Sequence, residues 1–240
     1  MLPLKDLNPT RRLPILTWTL IVINVLVFLW EMSLGDSELN RAFIELSVVP
    51  ANISANPLSL ETFLDAVRSM FFHGGYDHIF GNMLYLYLFG DNIEDRFGKL
   101  LFLVVYFVSG FVAVAAQVII DPSSTIPLIG ASGAIAGVLG GYLILFPTVK
   151  VRGMVLLGRA GFMTELPAFI VLGFWFVLQV VNGVVSLGAT QYGGGVAFFV
   201  HIGGFVAGAI LTGVFMLFVR QPPVSERNQM LYQRAERYRF

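Results

Sequence analysis

The amino-acid sequence predicts an all-α fold, a polytopic membrane bundle of six transmembrane helices with a long first outer loop. Of the 240 residues, 56% are hydrophobic and only 12% are charged, against about 25% charged residues in an average soluble domain. Six apolar stretches carry no charged residue in their interiors, and they are too long to be strands of an outer-membrane barrel. These stretches are residues 14–32, 76–90, 100–120, 131–147, 165–187 and 196–219.

This pattern divides the chain into three segments. Residues 1–13 are expected to form a cytoplasmic N-terminal segment, residues 14–219 the membrane domain, and residues 220–240 a basic cytoplasmic tail. Basic residues precede the first apolar stretch, as they do in a signal peptide. Because that stretch is long and no A-x-A cleavage site follows it, we interpret it as a retained first span.

The positions of Lys and Arg predict that both termini face the cytoplasm. With the N-terminus inside, 13 of the 15 basic residues fall in inner segments, and only Arg41 and Arg68 fall outside. Helical membrane proteins usually carry this excess on the cytoplasmic side. We therefore expect an integral membrane protein with this orientation. The formal net charge of zero gives no indication of nucleic-acid binding.

The second and fourth stretches are shorter than the roughly 20 residues that a helix needs to cross the hydrocarbon. The loop at 121–130 should therefore enter the membrane to meet the fourth stretch, where irregular backbone needs protein or water around it. We expect Ser132 to lie below the outer surface in a hollow that water reaches. In the loop at 33–75, apolar residues at helical spacing over 58–72 predict a helix that lies along the interface or packs on the bundle.

Four polar residues are predicted to lie at similar depth in the outer part of the bundle: Ser132, His201, His78 and Asn82. Serine is a weak nucleophile until a base removes its proton, and histidine titrates near neutrality. No acidic residue lies in the spans near these two side chains. The sequence therefore predicts a Ser132–His201 dyad whose imidazole is held by packing and not by a carboxylate.

Glycine spacing explains how the two helices approach each other. Gly133 and Gly137 form a smooth strip on the fourth stretch, and Gly204 and Gly208 form another on the sixth. Such strips let membrane helices pack closely. Close packing would bring the serine and the histidine within hydrogen-bond reach.

His78 and Asn82 are four residues apart, so they share one helix face. Both side chains can donate hydrogen bonds to the negative charge that develops on a carbonyl oxygen during acyl transfer. They are candidate oxyanion donors, with the Ser132 backbone N–H as a third. The alternatives are that the serine is a packing residue and that the His78 and Asn82 side chains bridge helices. A histidine inside a membrane is a stronger indication of function than a serine, because polar groups at that depth are costly.

Metal and cofactor chemistry is not indicated. The absence of cysteine excludes disulfides and thiol nucleophiles. The three histidines have no membrane carboxylate beside them that would complete a metal site. We expect neither a metal nor a cofactor, and His73, in the loop before the second stretch, is interpreted as structural.

The motifs together resemble the rhomboid family of intramembrane serine proteases. The matching pieces are "FFHGGYDHIFGN" (71–82), "GDNIEDRFG" (90–98), "GASGAIAG" (130–137) and "HIGGFVAG" (201–208), which follow the order of the family. The resemblance extends over about residues 14–219, and it implies the six-span bacterial type, in the bacterial cytoplasmic (inner) membrane.

This resemblance implies a role for each matched residue. Ser132 is the nucleophile, His201 the base, and His78 and Asn82 belong to the oxyanion side. His73 matches a further histidine upstream, and Glu94 and Arg96 match a structural charged pair in the turn after the second span.

The chain departs from the family pattern at a few positions. Leu64 and Asp65 stand where the family often has Trp-Arg, and Val200 stands where alanine is common before the histidine. Ala136 occupies a position where some members place an aromatic ring against the histidine. These differences concern the anchoring of the first loop and the orientation of the histidine.

The implied function is cleavage of single-span or polytopic membrane proteins, at or near the outer face of the lipid bilayer, through an acyl-enzyme. The alternative is a non-catalytic binder of transmembrane helices that uses the same cavity. A transporter is disfavoured because the two halves do not repeat each other and no charges are found at the midplane.

Overall fold

The computed structural model describes residues 1–53, 56–157, 160–187 and 197–220. Within these ranges the chain is mostly helical. The elements are β1 (Leu2–Asp6), α1 (Ile15–Glu31), α2 (Asp36–Leu46), α3 (Pro50–Ile53), α4 (Leu60–Ser69), α5 (Tyr76–Phe97), α6 (Lys99–Ile120), α7 (Ser132–Leu145), β2 (Lys150–Leu157), β3 (Ala160–Pro167), α8 (Ala168–Ser186) and α9 (Phe198–Phe218).

The six predicted apolar stretches correspond to the six longer helices, α1 and α5 to α9, although α5 extends beyond its stretch. Among the described residues, α6, α8 and α9 are long and apolar enough to cross a membrane, while α1 and α7 are shorter apolar helices. Exposed large hydrophobic side chains cover the outer faces of the bundle. An outer surface of this kind suits hydrocarbon as its solvent, as expected of a membrane protein.

The shortest of these helices, α7, lies at the centre of the bundle. It has 14 residues, and every residue from Gly133 to Tyr142 is buried. It packs on α5, α6, α8 and α9. A helix that is apolar all round is suited to such a central position. The prediction that the fourth stretch is short is confirmed by these bounds.

The prediction that the second stretch is short is wrong. Helix α5 runs for 22 residues and ends at Phe97, so Glu94 and Arg96 lie in its last turns and not in a following turn. Glu94 accepts hydrogen bonds from the backbone N–H groups of Leu16 and Thr17 at 3.0 and 2.8 Å. It thereby satisfies free donors at the start of α1. The polar residues at the end of α5 remain helical because their side chains have hydrogen-bond partners in other parts of the chain.

Arg96 and Asp95 tie the same end of α5 to two other parts of the chain. Arg96 donates to the carbonyl oxygen of Val219, just after α9, at 2.8 Å. Asp95 pairs with Arg11 of the N-terminal segment at 2.9 Å. The last turns of α5 therefore hold the start of the first apolar helix and the end of the last one.

A three-stranded antiparallel sheet departs from the all-α prediction. Its order is β1-β2-β3, and it joins the N-terminal segment to the hairpin between α7 and α8. A Cβ at Gly153 would lie 2.4 Å from the Leu2 carbonyl oxygen, so glycine lets β1 approach β2. Because β3 extends to Pro167, α8 begins at Ala168 and not at 165 as predicted.

The segment between α1 and α5 contains the short helices α2, α3 and α4. Helix α4 falls within the predicted helical range of 58–72. The segment that leads into α7 is held against this region, because Leu128 N–H donates to the Val48 carbonyl at 2.7 Å and Gly130 N–H donates to the Ser69 carbonyl at 2.8 Å. These two bonds fix the backbone immediately before Ser132.

Asp6, at the end of β1, is the main buried carboxyl of the N-terminal segment. It accepts hydrogen bonds from Asn92 Nδ2 at 2.9 Å and from the Tyr142 hydroxyl at 3.2 Å. Burial nevertheless raises the pKa of Asp6 from its ordinary 3.8 to about 6, because desolvation outweighs these two bonds. The folded protein therefore holds this proton more tightly than the unfolded chain does.

Asp6→Asn should change how stability depends on pH. Since the folded pKa is the higher one, the wild type loses stability as the pH rises through the window between 3.8 and about 6. The variant lacks this loss, so across that window it should gain stability relative to the wild type, by at most about 3 kcal/mol. Unfolding of both proteins in detergent at several pH values measures the difference. A difference that is independent of pH would contradict this assignment.

Candidate active site

The backbones of α7 and α9 touch along their glycine strips. A Cβ at Gly204 would lie 2.0 Å from the Gly133 carbonyl oxygen, and a Cβ at Gly208 would lie 1.9 Å from the Gly137 carbonyl oxygen. No real side-chain carbon approaches an oxygen so closely, so these positions require glycine. Glycines at this spacing let membrane helices approach closely.

This contact aligns the two N-terminal ends of α7 and α9. Ser132 is the first residue of α7, and His201 lies in the first turn of α9, which begins at Phe198 and not at 196. His201 Nε2 and Ser132 Oγ are 2.9 Å apart. Both residues are partly exposed. The arrangement suits transfer of the serine proton to the imidazole.

The other imidazole nitrogen faces an amide. His201 Nδ1 lies 2.8 Å from Gln179 Oε1, on α8. The Trp175 ring lies against the same histidine, with 5.8 Å between ring centroids and 40° between the planes. Packing alone was predicted to hold the imidazole, and Gln179 was missed. A lone glutamine in an apolar helix, four residues after a tryptophan, was the signal available in the sequence.

Asn82 is a buried donor without an acceptor. Its side chain is only 7% exposed, and Nδ2 has no hydrogen-bond partner among the described residues. Buried polar groups are usually paired, so this N–H group is available as a hydrogen-bond donor to a further acceptor.

His78 borders the same space as the serine. Gly130 has a φ of +122°, and a Cβ on it would lie 2.6 Å from His78 Nε2 and 3.6 Å from Ser132 Oγ. Glycine therefore keeps open a space that both side chains line. The structure thus brings Ser132, His201 and His78 to one end of the bundle.

His73 lies behind His78 in an edge-to-face contact, with ring centroids 5.1 Å apart. It is 1% exposed, and its backbone N–H donates to the Glu31 carboxylate at 3.0 Å. Glu31, at the end of α1, is itself only 2% exposed. Sequence reasoning gave Glu31 no role, although a carboxylate at the edge of an apolar stretch is a recognisable signal.

Comparison with known proteins gives the family. Residues 61–218 match the family described as Rhomboid domain. The chain is 33% identical over 79 residues to "Putative rhomboid protease YdcA" of Bacillus subtilis (strain 168), a match that covers 33% of this chain and 39% of that protein. It is 28% identical over 156 residues to RHOMBOID-like protein 4 of Arabidopsis thaliana, covering 65% of this chain and 35% of that protein.

The chain belongs to the rhomboid family and is an integral membrane protein. The resemblance based on its four motifs is thereby confirmed. The matched part of the chain covers well under two thirds of either relative.

No metal site is formed by the described residues, which contain no group of three or more His, Asp or Glu side chains placed to hold an ion.

Gly208→Ala should damage both stability and the site, because its methyl group would collide with the backbone of α7. We expect a loss of about 2 kcal/mol or more, together with the loss of reactivity at Ser132. Gly213→Ala is the matched control on the same helix, since nothing lies within 4 Å of a Cβ there. Thermal unfolding in detergent measures the stability of both variants. Equal melting temperatures for the two variants would contradict the contact between α7 and α9.

Proposed function

We propose that the chain is an intramembrane serine endopeptidase that cleaves transmembrane proteins at or near the outer membrane face. The observation that carries this proposal is the 2.9 Å distance between Ser132 Oγ and His201 Nε2 inside an apolar bundle. Membership of the rhomboid family supports it, as does the protease named among the relatives.

The reaction follows the general course of serine proteolysis. His201 Nε2 takes the proton of Ser132 as Oγ attacks the scissile carbonyl carbon, and the carbonyl oxygen becomes an oxyanion. The imidazolium then gives its proton to the leaving amine, which leaves an acyl-enzyme on Ser132. A water molecule, activated by the same imidazole, attacks the ester, and collapse of the second intermediate frees Ser132 and the new carboxyl group.

We infer that three donors stabilise the oxyanion: the Asn82 amide, the His78 imidazole and the Ser132 backbone N–H. Asn82 Nδ2 is supported by its lack of a partner among the described residues, and His78 by the open space beside Gly130. Ser132 begins α7, so its N–H has no acceptor within the helix. The positive end of the helix dipole favours negative charge at the same place.

We further propose that α1 and α5 to α9 are six spans with both termini in the cytoplasm. The distribution of basic residues supports this orientation. It places Ser132 toward the outer face, and the loop before it below that surface. Because the chain has no cysteine, single cysteines are clean probes of topology. Labelling of Arg41→Cys only from the cytoplasm would overturn the orientation.

The substrates we propose are single-span or polytopic membrane proteins, because the site opens within an apolar bundle. A peptide bond in a helix is shielded by its own hydrogen bonds, so the substrate must unwind locally before Ser132 Oγ can reach it. The rival function is a helix binder without turnover. No described feature of the site favours it, since both reacting side chains are present and in contact.

Purified wild type should cleave a model transmembrane substrate in detergent, and Ser132→Ala should not. Asn82→Ala should retain KM and lose about 10²–10³-fold in kcat, because its amide acts on charge that develops only in the transition state. Circular dichroism and melting confirm folding of each variant. Folded wild type that fails to cleave, yet captures single-span proteins, would favour the helix binder. Equal cleavage by Ser132→Ala would end the protease proposal.

A further inference from the structure

We propose that Gln179 is a positioning residue that completes a Ser132–His201–Gln179 arrangement by fixing the tautomer of the histidine. The proposal rests on the proposed proteolytic function, because it assigns Gln179 to the same site. It begins from the 2.8 Å contact between Gln179 Oε1 and His201 Nδ1.

An amide oxygen can only accept a hydrogen bond, so this contact places the imidazole proton on Nδ1. The lone pair then lies on Nε2, which is 2.9 Å from Ser132 Oγ. In the opposite tautomer Nε2 carries a proton and cannot take the one on the serine. Gln179 therefore selects the form of His201 that acts as a base.

The orientation of the amide is set by a second contact. Gln179 Nε2 donates to the Trp175 carbonyl oxygen, one turn earlier on α8, at 3.4 Å. A reversed amide would point its NH₂ group at His201 and lose this bond. The local backbone of α8 thus directs the oxygen, and not the nitrogen, toward the imidazole.

The Trp175 side chain completes the arrangement from the same helix face. Its ring lies over His201 at a centroid distance of 5.8 Å and over Phe205 at 6.1 Å. On α7, the residue one turn after the serine is Ala136, which is too small to cover the imidazole. Helix α8 therefore supplies both the hydrogen bond and the aromatic contact that orient His201.

Gly183 explains why α8 comes close enough to do so. One turn after Gln179, a Cβ at Gly183 would lie 3.3 Å from Ile202 Cδ1 and 3.5 Å from Phe198 Cβ. Along the rest of α8, only Ala168 and Leu172 are buried. The position of the amide therefore depends on this local contact with the first turns of α9.

An amide is suited to this position because it is neutral. A carboxylate in an apolar bundle has a large desolvation penalty, whereas an amide with both ends hydrogen-bonded has a small one. A glutamine that served packing alone would gain nothing from its polar end, since leucine or methionine fills similar volume without a polar group to satisfy.

The test compares Gln179→Met, Gln179→Glu and, as a matched control on the same helix, Val181→Met, whose side chain is exposed. Methionine keeps the length and removes the acceptor, so kcat should fall about 10–100-fold with KM unchanged. Glutamate restores an acceptor and should recover part of kcat. The control should match the wild type. Should Gln179→Met fail to fold, Gln179→Asn replaces it, with the same loss expected.

The tautomer of His201 can be measured without measuring substrate cleavage. In ¹⁵N-histidine NMR spectra, His201 of the wild type should show a protonated Nδ1 and a bare Nε2, and Gln179→Met should show a mixture. Unchanged kcat and an unchanged tautomer in Gln179→Met would overturn the positioning role. If the wild type does not cleave but the tautomer changes as expected, the proteolytic function fails while the role of Gln179 in orienting His201 stands.

Discussion

The backbone contact between α7 and α9 determines where the groups of the site lie. Gly137 and Gly208 bring the helices together so closely that a single methyl group has no room. The contact fixes the start of α7 against the first turn of α9, and so it sets the distance between Ser132 and His201. Without this contact, nothing would hold the two polar residues on separate helices close together, because the hydrophobic effect does not drive helix association in lipid.

The polar groups around this contact are used in two different ways. Some are paired and fix geometry, as Gln179 does with His201 and Glu31 does with the backbone before α5. Others are left open, as Asn82 is, and these are suited to bind a charge that appears during a reaction. At the other end of the bundle, Glu94 satisfies the free N–H groups of α1.

Hydropathy located the apolar helices because each carries a long run of apolar residues, and glycine spacing indicated which two helices touch. The sheet was missed because β1 and β2 are short and pair across about 150 residues of sequence. The length of α5 was missed because its polar last turns are stabilised by tertiary partners and not by hydropathy. Gln179 was missed since its role exists only once α8 and α9 are packed together.

On the proposed function, the packing of α7 on α9 turns Ser132 into a nucleophile with His201 as its base. The rate at which a fluorophosphonate modifies the purified protein tests this role, with the modified residue identified by peptide mass spectrometry. We expect a single adduct at Ser132 in the wild type and none at that residue in folded His201→Ala. Adducts at other serines instead, or equal labelling of Ser132 in both proteins, would contradict it.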